Sequence, residues 1–145
     1  MEKSLNYGSI RNILMTKGHK IEKKVKGKGE VDYDYKHDIL FFKVKSREYA
    51  KSIELLDNLV VDVDKEGFLT GIQIFDAAEY LNIDKKSLLN ISNWQFTINV
   101  HENIIEIRLV FQVKVRNKIV EKNPIISQQI NQKLPNSEMI CEAVV

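Results

Sequence analysis

The chain has 145 residues, of which 43% are hydrophobic and 29% charged, with a formal net charge of +2. Such a mixture excludes a disordered or collagen-like chain, and nothing approaches the ~18 consecutive apolar residues of a membrane span. The single cysteine, Cys141, excludes an intramolecular disulfide framework and a cysteine-cluster zinc site.

The length predicts one domain with its own core. The opening MEKSLNYGSI has no apolar leader segment, so the expected location is cytoplasmic. Residues 1–30 carry eight Lys/Arg against three Asp/Glu, residues 31–92 eight against twelve, and residues 93–145 six against five. A basic arm at 1–30 ahead of an acidic middle points to electrostatic self-association or an anionic partner; a solvated tail is the plainer reading. Eighteen Lys against four Arg disfavours sequence-specific nucleic-acid recognition, which leans on the bidentate guanidinium.

In chain order, Ile10, Ile13 and Leu14 fit one or two helical turns, with a strand or an arm as alternatives. A strand through Ile21 to Val25 would carry Lys23, Lys24, Lys26 and Lys28 on its exposed side and so discourage edge pairing. These lysines, with Lys20, are the expected contacts for an anionic partner. GKG at 27–29 falls short of the GxxxxGK[ST] phosphate loop. Val31 to Tyr35 and Asp38 to Lys45 read as a hairpin about a Lys36-His37 turn, with Val31, Tyr33 and Tyr35 on one face. Ser46 to Asp57 reads as a loop followed by a short strand at Ile53; a short helix is the alternative.

Asn58 to Asp76, NLVVDVDKEGFLTGIQIFD, is the clearest hairpin. Leu59, Val61 and Val63 share one face, and Phe68, Ile72 and Ile74 match them across the turn. Asp64-Lys65-Glu66-Gly67 suits a type I turn with Gly67 in the left-handed region, and Gly71 suits a bulge or close approach. Asp76 and Glu79 have the spacing of a capping box for a short helix through Leu81, and Asp84 is placed to cap another turn.

From Trp94 the alternation resumes. Phe96, Ile98 and Val100 precede a His101-Glu102-Asn103 turn; Ile105, Ile107, Leu109, Phe111, Val113 and Val115 follow it. This second strand outruns its partner. Its far half must pair with the segment near Ile119, with the strand at Met139 to Val145, or with another subunit. Pro124 and Pro135 confine tail strands to edges or to the interval between them.

The run from Tyr33 to Ala77 resembles the uncharacterised "domain of unknown function 2283" family. The residues that carry this resemblance are Tyr33, Asp38, Asp57, Val61, Asp62, Asp64, Gly67, Gly71, Ile72, Ile74, Asp76 and Ala77, within residues 31–82. Gln73 and Ala78 depart from the glutamate and serine usual in that family. The resemblance implies a small β-meander with a short helix and no established activity; some relatives resemble antitoxin partners of small toxins.

Each candidate site has a plainer reading. Asp62, Asp64, Glu66 and Gly67 copy four positions of a calcium loop, but the bidentate glutamate at its twelfth position is replaced by Gln73. His101-Glu102 begins HExxH, but Ile105 stands where the second histidine belongs. Asp57, Asp62, Asp64 and Asp76 are turn and cap residues rather than an acid–base set. Tyr33, Tyr35, Phe41, Phe42, Trp94 and Phe96 read as core rather than as base-stacking platforms, although Trp94 opens a strand and is expected to be partly exposed. Cys141 reads as a small hydrophobe, because no motif ties His19, His37 or His101 to it. His37 reads as a turn residue.

The expected fold class is therefore α+β, mainly antiparallel β, with one or two short helices after residue 76. The expected segments are an arm at 1–30, a meander with short helix at 31–92, and a hairpin-rich extension at 93–145 packed with it. The expected function is a non-catalytic, self-associating interaction module, a dimer first, with no cofactor, catalytic residue, metal or membrane. The alternative is an antitoxin-like or weak RNA-binding protein acting through the basic arm.

Overall fold

In the computed structural model, residues 21–45, 49–55 and 58–144 are described. They form ten strands and two short helices: β1 (Lys23–Asp34), β2 (Ile39–Val44), β3 (Lys51–Glu54), β4 (Leu59–Val63), β5 (Leu69–Phe75), α1 (Ala77–Leu81), α2 (Lys85–Leu89), β6 (Asn93–His101), β7 (Ile104–Val115), β8 (Lys118–Lys122), β9 (Ile125–Gln129) and β10 (Ser137–Val144). Among these residues the fold is α+β and mainly antiparallel, as its alternating apolar residues predict. No described helix is long and apolar enough to cross a membrane.

The strands run in the order β3-β4-β5-β2-β1-β10-β6-β7-β8, with β9 also on β7. β1 divides this path into two wings. Its Gly29–Asp34 half pairs antiparallel with β2, whereas its Lys23–Lys28 half pairs parallel with β10. The wings turn their apolar faces toward each other, a strand shared between sheets being one way to make such a corner. The Phe42 ring lies 5.2 Å from Trp94 and 4.9 Å from Phe96, centroid to centroid. Gly29 stands at the changeover, where a Cβ would come 2.7 Å from Phe96 Cζ. Close packing of the wings therefore excludes any side chain there.

Alternation decides which face is buried. Leu59, Val61 and Val63 on β4, and Ile105, Ile107, Leu109, Phe111 and Val113 on β7, are all buried in one core with Trp94 and Cys141. Each such side chain contributes about 1.5–3 kcal/mol by leaving water, so a register slip of one residue would forfeit several at once. Trp94 is 2% exposed, contrary to the expectation of partial exposure. It opens its strand, but β2 of the opposite wing covers it.

The overlong β7 pairs with β6 from Ile104 to Phe111, and its far end pairs with β8 from Phe111 to Val115. β9 then takes the remaining outer edge, from Ile104 to Arg108. Phe111 opposite Lys122 and Arg108 opposite Ile125 keep one register, so β8 and β9 are a single strand interrupted at Asn123-Pro124. Proline lacks the N–H but keeps its acceptor, and the Leu109 N–H donates to the Pro124 carbonyl at 3.1 Å. The C-terminal strand pairs with β6 and β1 instead of β7.

Several other expectations change. The lysine-rich stretch Lys23–Lys28 belongs to a strand twelve residues long and pairs along one side with β10, a parallel pairing that brings together segments more than a hundred residues apart. The first turn spans four residues, from Asp34 opposite Ile39, rather than two, because Asp38 adopts a left-handed φ of 55°. Tyr35 consequently swings out, 42% exposed, under the Lys85 ammonium. In the β4–β5 hairpin the register shifts at Asp62/Val63, so Leu69, not Phe68, pairs with Val63.

Candidate functional site

The residues that carry the resemblance are concentrated in the turns of the first wing. The Asp64 carboxylate accepts from the backbone N–H of Glu66 at 2.9 Å and of Phe68 at 3.0 Å. Gly67 has φ 88° and donates its N–H to the Asp64 carbonyl at 3.0 Å. Both side-chain bonds engage Oδ1, which is thereby committed to the turn. Asp62 lies on the outer face of β4, within 2.7 Å of Ser52 Oγ. Among the described residues no group of three His, Cys, Asp or Glu is placed to hold a metal ion. Gly71 meets β2 so closely that a Cβ would lie 2.6 Å from the Phe42 carbonyl oxygen.

The capping-box expectation fails. Asp76 has φ 51°, ψ 48° and makes no side-chain bond to α1, and Glu79 is exposed. A left-handed residue aims its side chain away from the first-turn N–H groups. The cap comes instead from forty residues upstream. Asp38 Oδ1 accepts from the Ala78 N–H at 3.0 Å, and the Asp38 carbonyl accepts from the Ala77 N–H at 3.0 Å. The same Oδ1 accepts from the Tyr33 hydroxyl at 2.5 Å. Burial, reinforced by the Asp38 hydrogen bond and charge, holds the Tyr33 phenol well above its ordinary pKa. Asp38 therefore joins the first turn to the helix. Asp84 likewise makes no side-chain bond to α2.

The predicted lysine cluster divides. Lys24, Lys26 and Lys28 share the outer face of β1, while Lys23 lies on the other face, 5.1 Å from the Phe68 ring centroid. Their partners across β10 are Glu138, Ile140 and Glu142, so carboxylates interleave with the row. Lys20 and Asp57 lie outside the described residues. Cys141 is buried, and burial pushes its thiol up to about 11, which removes the thiolate a nucleophile needs.

Two surfaces went unrecognised in the sequence. The first is the β7–β8 hairpin, whose residues 114–121 are all exposed. Its turn is Arg116-Asn117, with φ 50° and 67°, the left-handed pair of a two-residue hairpin turn. β6 ends opposite Phe111, so the hairpin runs past it. The core-facing stripe of Phe111 and Val113 continues into Val115 and Val120, which are 44% and 38% exposed. Beside it lie two adjoining hollows of about 370 and 460 Å³, the smaller between the start of β6 and the hairpin, the larger between α2 and the end of β7. The larger is lined by Lys86, Lys114 and Arg116, with Ser87, Asn90 and Gln112 among its polar groups and no carboxylate.

The second is the outer face of the first wing. Strand register places Glu30, Asp32, Asp34, Asp62 and Glu54 on it, with Lys43 as its one cation among the paired residues. They surround a half-buried stripe of Ile39, Phe41, Val60 and Phe75. His37 Nδ1 lies 2.9 Å from Asp34, and that hydrogen bond holds the Asp34 carboxyl below its ordinary pKa.

Residues 30–77 match the family described as "Protein of unknown function (DUF2283)". The match begins within one residue of the β1 changeover and ends at the first residue of α1, so it coincides with the first wing. The chain is 34% identical over 91 residues to a protein named "Putative hypoxanthine phosphoribosyltransferase" in Methanosarcina mazei, covering 63% of this chain and 73% of that one. It is 27% identical over 100 residues to an uncharacterised protein of Methanocaldococcus jannaschii, covering 68% of this chain and 85% of that one. No solved structure matches significantly. The chain belongs to the DUF2283 family of proteins of unknown function.

Proposed function

We propose that this protein is a non-catalytic β-rich module that self-associates through the projecting β7–β8 hairpin. The observation that carries this reading is the stripe that runs from buried Val113 to exposed Val115 and Val120. An apolar face continued past its own core leaves area that a second copy would cover, and area removed from water drives association. Ile119, 72% exposed on the hairpin's other face, adds to it. Sedimentation velocity across a concentration series tests the reading. The expected result is concentration-dependent association that Val120→Lys with Ile119→Lys abolishes while the circular dichroism and melting curve stay unchanged. A wild-type chain that stays monomeric at tens of micromolar would overturn it.

A second reading draws on the hollow lined by Lys86, Lys114 and Arg116, whose three cations favour a phosphate-bearing ligand. It moves the anion site of the basic-arm hypothesis to the hairpin. It also bears on the name of the Methanosarcina relative, because phosphoribosyl transfer acts on phosphorylated sugars. For that chemistry the described residues supply cations but no glycine-rich loop. Titration with inorganic phosphate and with a purine nucleotide, against Lys114→Ala/Arg116→Ala, separates the possibilities. Loss of binding in the double variant supports the site; equal binding removes it.

A further inference from the structure

We infer that the projecting hairpin of one copy docks on the acidic outer face of the first wing of the next, so that assembly is head-to-tail. This inference rests on the self-association reading and names the receptor surface. The hairpin carries Lys114, Arg116, Lys118 and Lys122 against the single carboxylate of Glu121, interspersed with exposed Val115, Ile119 and Val120. Among the paired residues of the wing the face carries five carboxylates against Lys43 around its apolar stripe, with Lys24, Lys26 and Lys28 following Glu30 along the same side of β1. The two surfaces thus match in both respects that matter, opposite net charge and apolar residues within a polar surround.

The alternative, hairpin on hairpin, brings four cations against four. Pairing the edge of β8 that has no strand beside it among the described residues with itself about Val120 would set Lys118 opposite Lys122, a like-charge pair that destabilises cross-strand contacts. The lysines and Pro124 on that edge are the kind of residues that keep sheet edges from joining. Repulsion therefore disfavours the symmetric contact, and the acidic face supplies the partner. Used one way, a contact between two different patches leaves a free hairpin at one end and a free face at the other, so the copies add as a chain or a ring of three or more; a reciprocal exchange of hairpins would instead close a two-fold dimer.

The experiment uses the full chain and two surface variants. Arg116→Glu/Lys118→Glu reverses the hairpin and leaves the face intact. Asp32→Lys/Glu54→Lys reverses the face and leaves the hairpin intact. Circular dichroism checks that both keep the fold. Sedimentation of the wild type is expected to show species larger than a dimer and to weaken at least tenfold between about 0.05 M and about 0.5 M salt, as the Debye length shortens. Each variant alone is expected to be monomeric, and their 1:1 mixture, in which every reversed hairpin meets a reversed face and every native hairpin a native face, to associate again. Association lost in the hairpin variant but retained in the face variant would overturn the head-to-tail inference and leave self-association standing. A wild type that is monomeric at low salt would overturn both.

Discussion

The two wings reach their shape by different means. In the first wing, single residues fix the β1–β2 and β4–β5 turns. Asp38 closes the β1–β2 turn and caps α1, Asp64 accepts from two backbone N–H groups, Gly67 supplies a left-handed φ, and Gly71 lets two strands approach. In the second wing, long alternating strands set the register, and the two-residue turns at Glu102-Asn103 and Arg116-Asn117 follow from the pairing. The family pattern stops where the first mode stops. A pattern of particular residues survives best where each has a backbone duty, whereas a buried stripe tolerates any residue of suitable size.

The largest expected effect breaks what the wings share. Trp94→Ala and Phe42→Ala each remove a buried ring at the junction and should each cost about 3–5 kcal/mol in urea unfolding. Because the rings touch, the double variant should lose less than the sum of the two.

Next comes the tie within the first wing. Asp38→Ala removes a helix cap and a charge-assisted hydrogen bond and should cost about 2 kcal/mol or more, whereas Asp76→Ala should change stability by less than about 0.5 kcal/mol. The reverse ranking would restore the capping box at Asp76. The phenol adds a pH signature. Its folded pKa is raised, so its contribution is complete below the unfolded value of about 10 and declines as pH rises past it. Tyr33→Phe should therefore flatten the alkaline limb of a stability–pH curve.

Gly67→Ala imposes a left-handed φ on a residue with a Cβ that would also stand 3.1 Å from Pro135 Cδ. It should cost about 1–2 kcal/mol, measured by thermal melting. The smallest effect is expected in the second wing. Asn117→Gly keeps the turn conformation and should move stability by no more than about 0.5 kcal/mol, in contrast to Gly67. A large loss there would show that a particular residue also governs the second wing.

Local signals were legible wherever the physical cause lay within a few residues. Alternation in LVVDV, GIQIF and IIEIRLVFQV marks half-buried strands because successive side chains point to opposite faces. Asp64 and Gly67 mark their turn because the carboxylate, the N–H groups and the glycine φ all belong to five consecutive residues. The fold class, the two short helices and the family followed from such signals. The cap of α1 did not, because Asp76 offers the right residue type at the right spacing while Asp38, distant in the chain, holds the better position. Nor did the junction of the wings, the parallel β1–β10 pair or the charge of either outer face. These depend on which strands become neighbours, a choice made by burial summed over the whole core and not encoded in any short window. The sequence by itself determined the strands and their tight turns, and the tertiary structure alone decided which carboxylate caps the helix and which apolar and charged surfaces remain exposed.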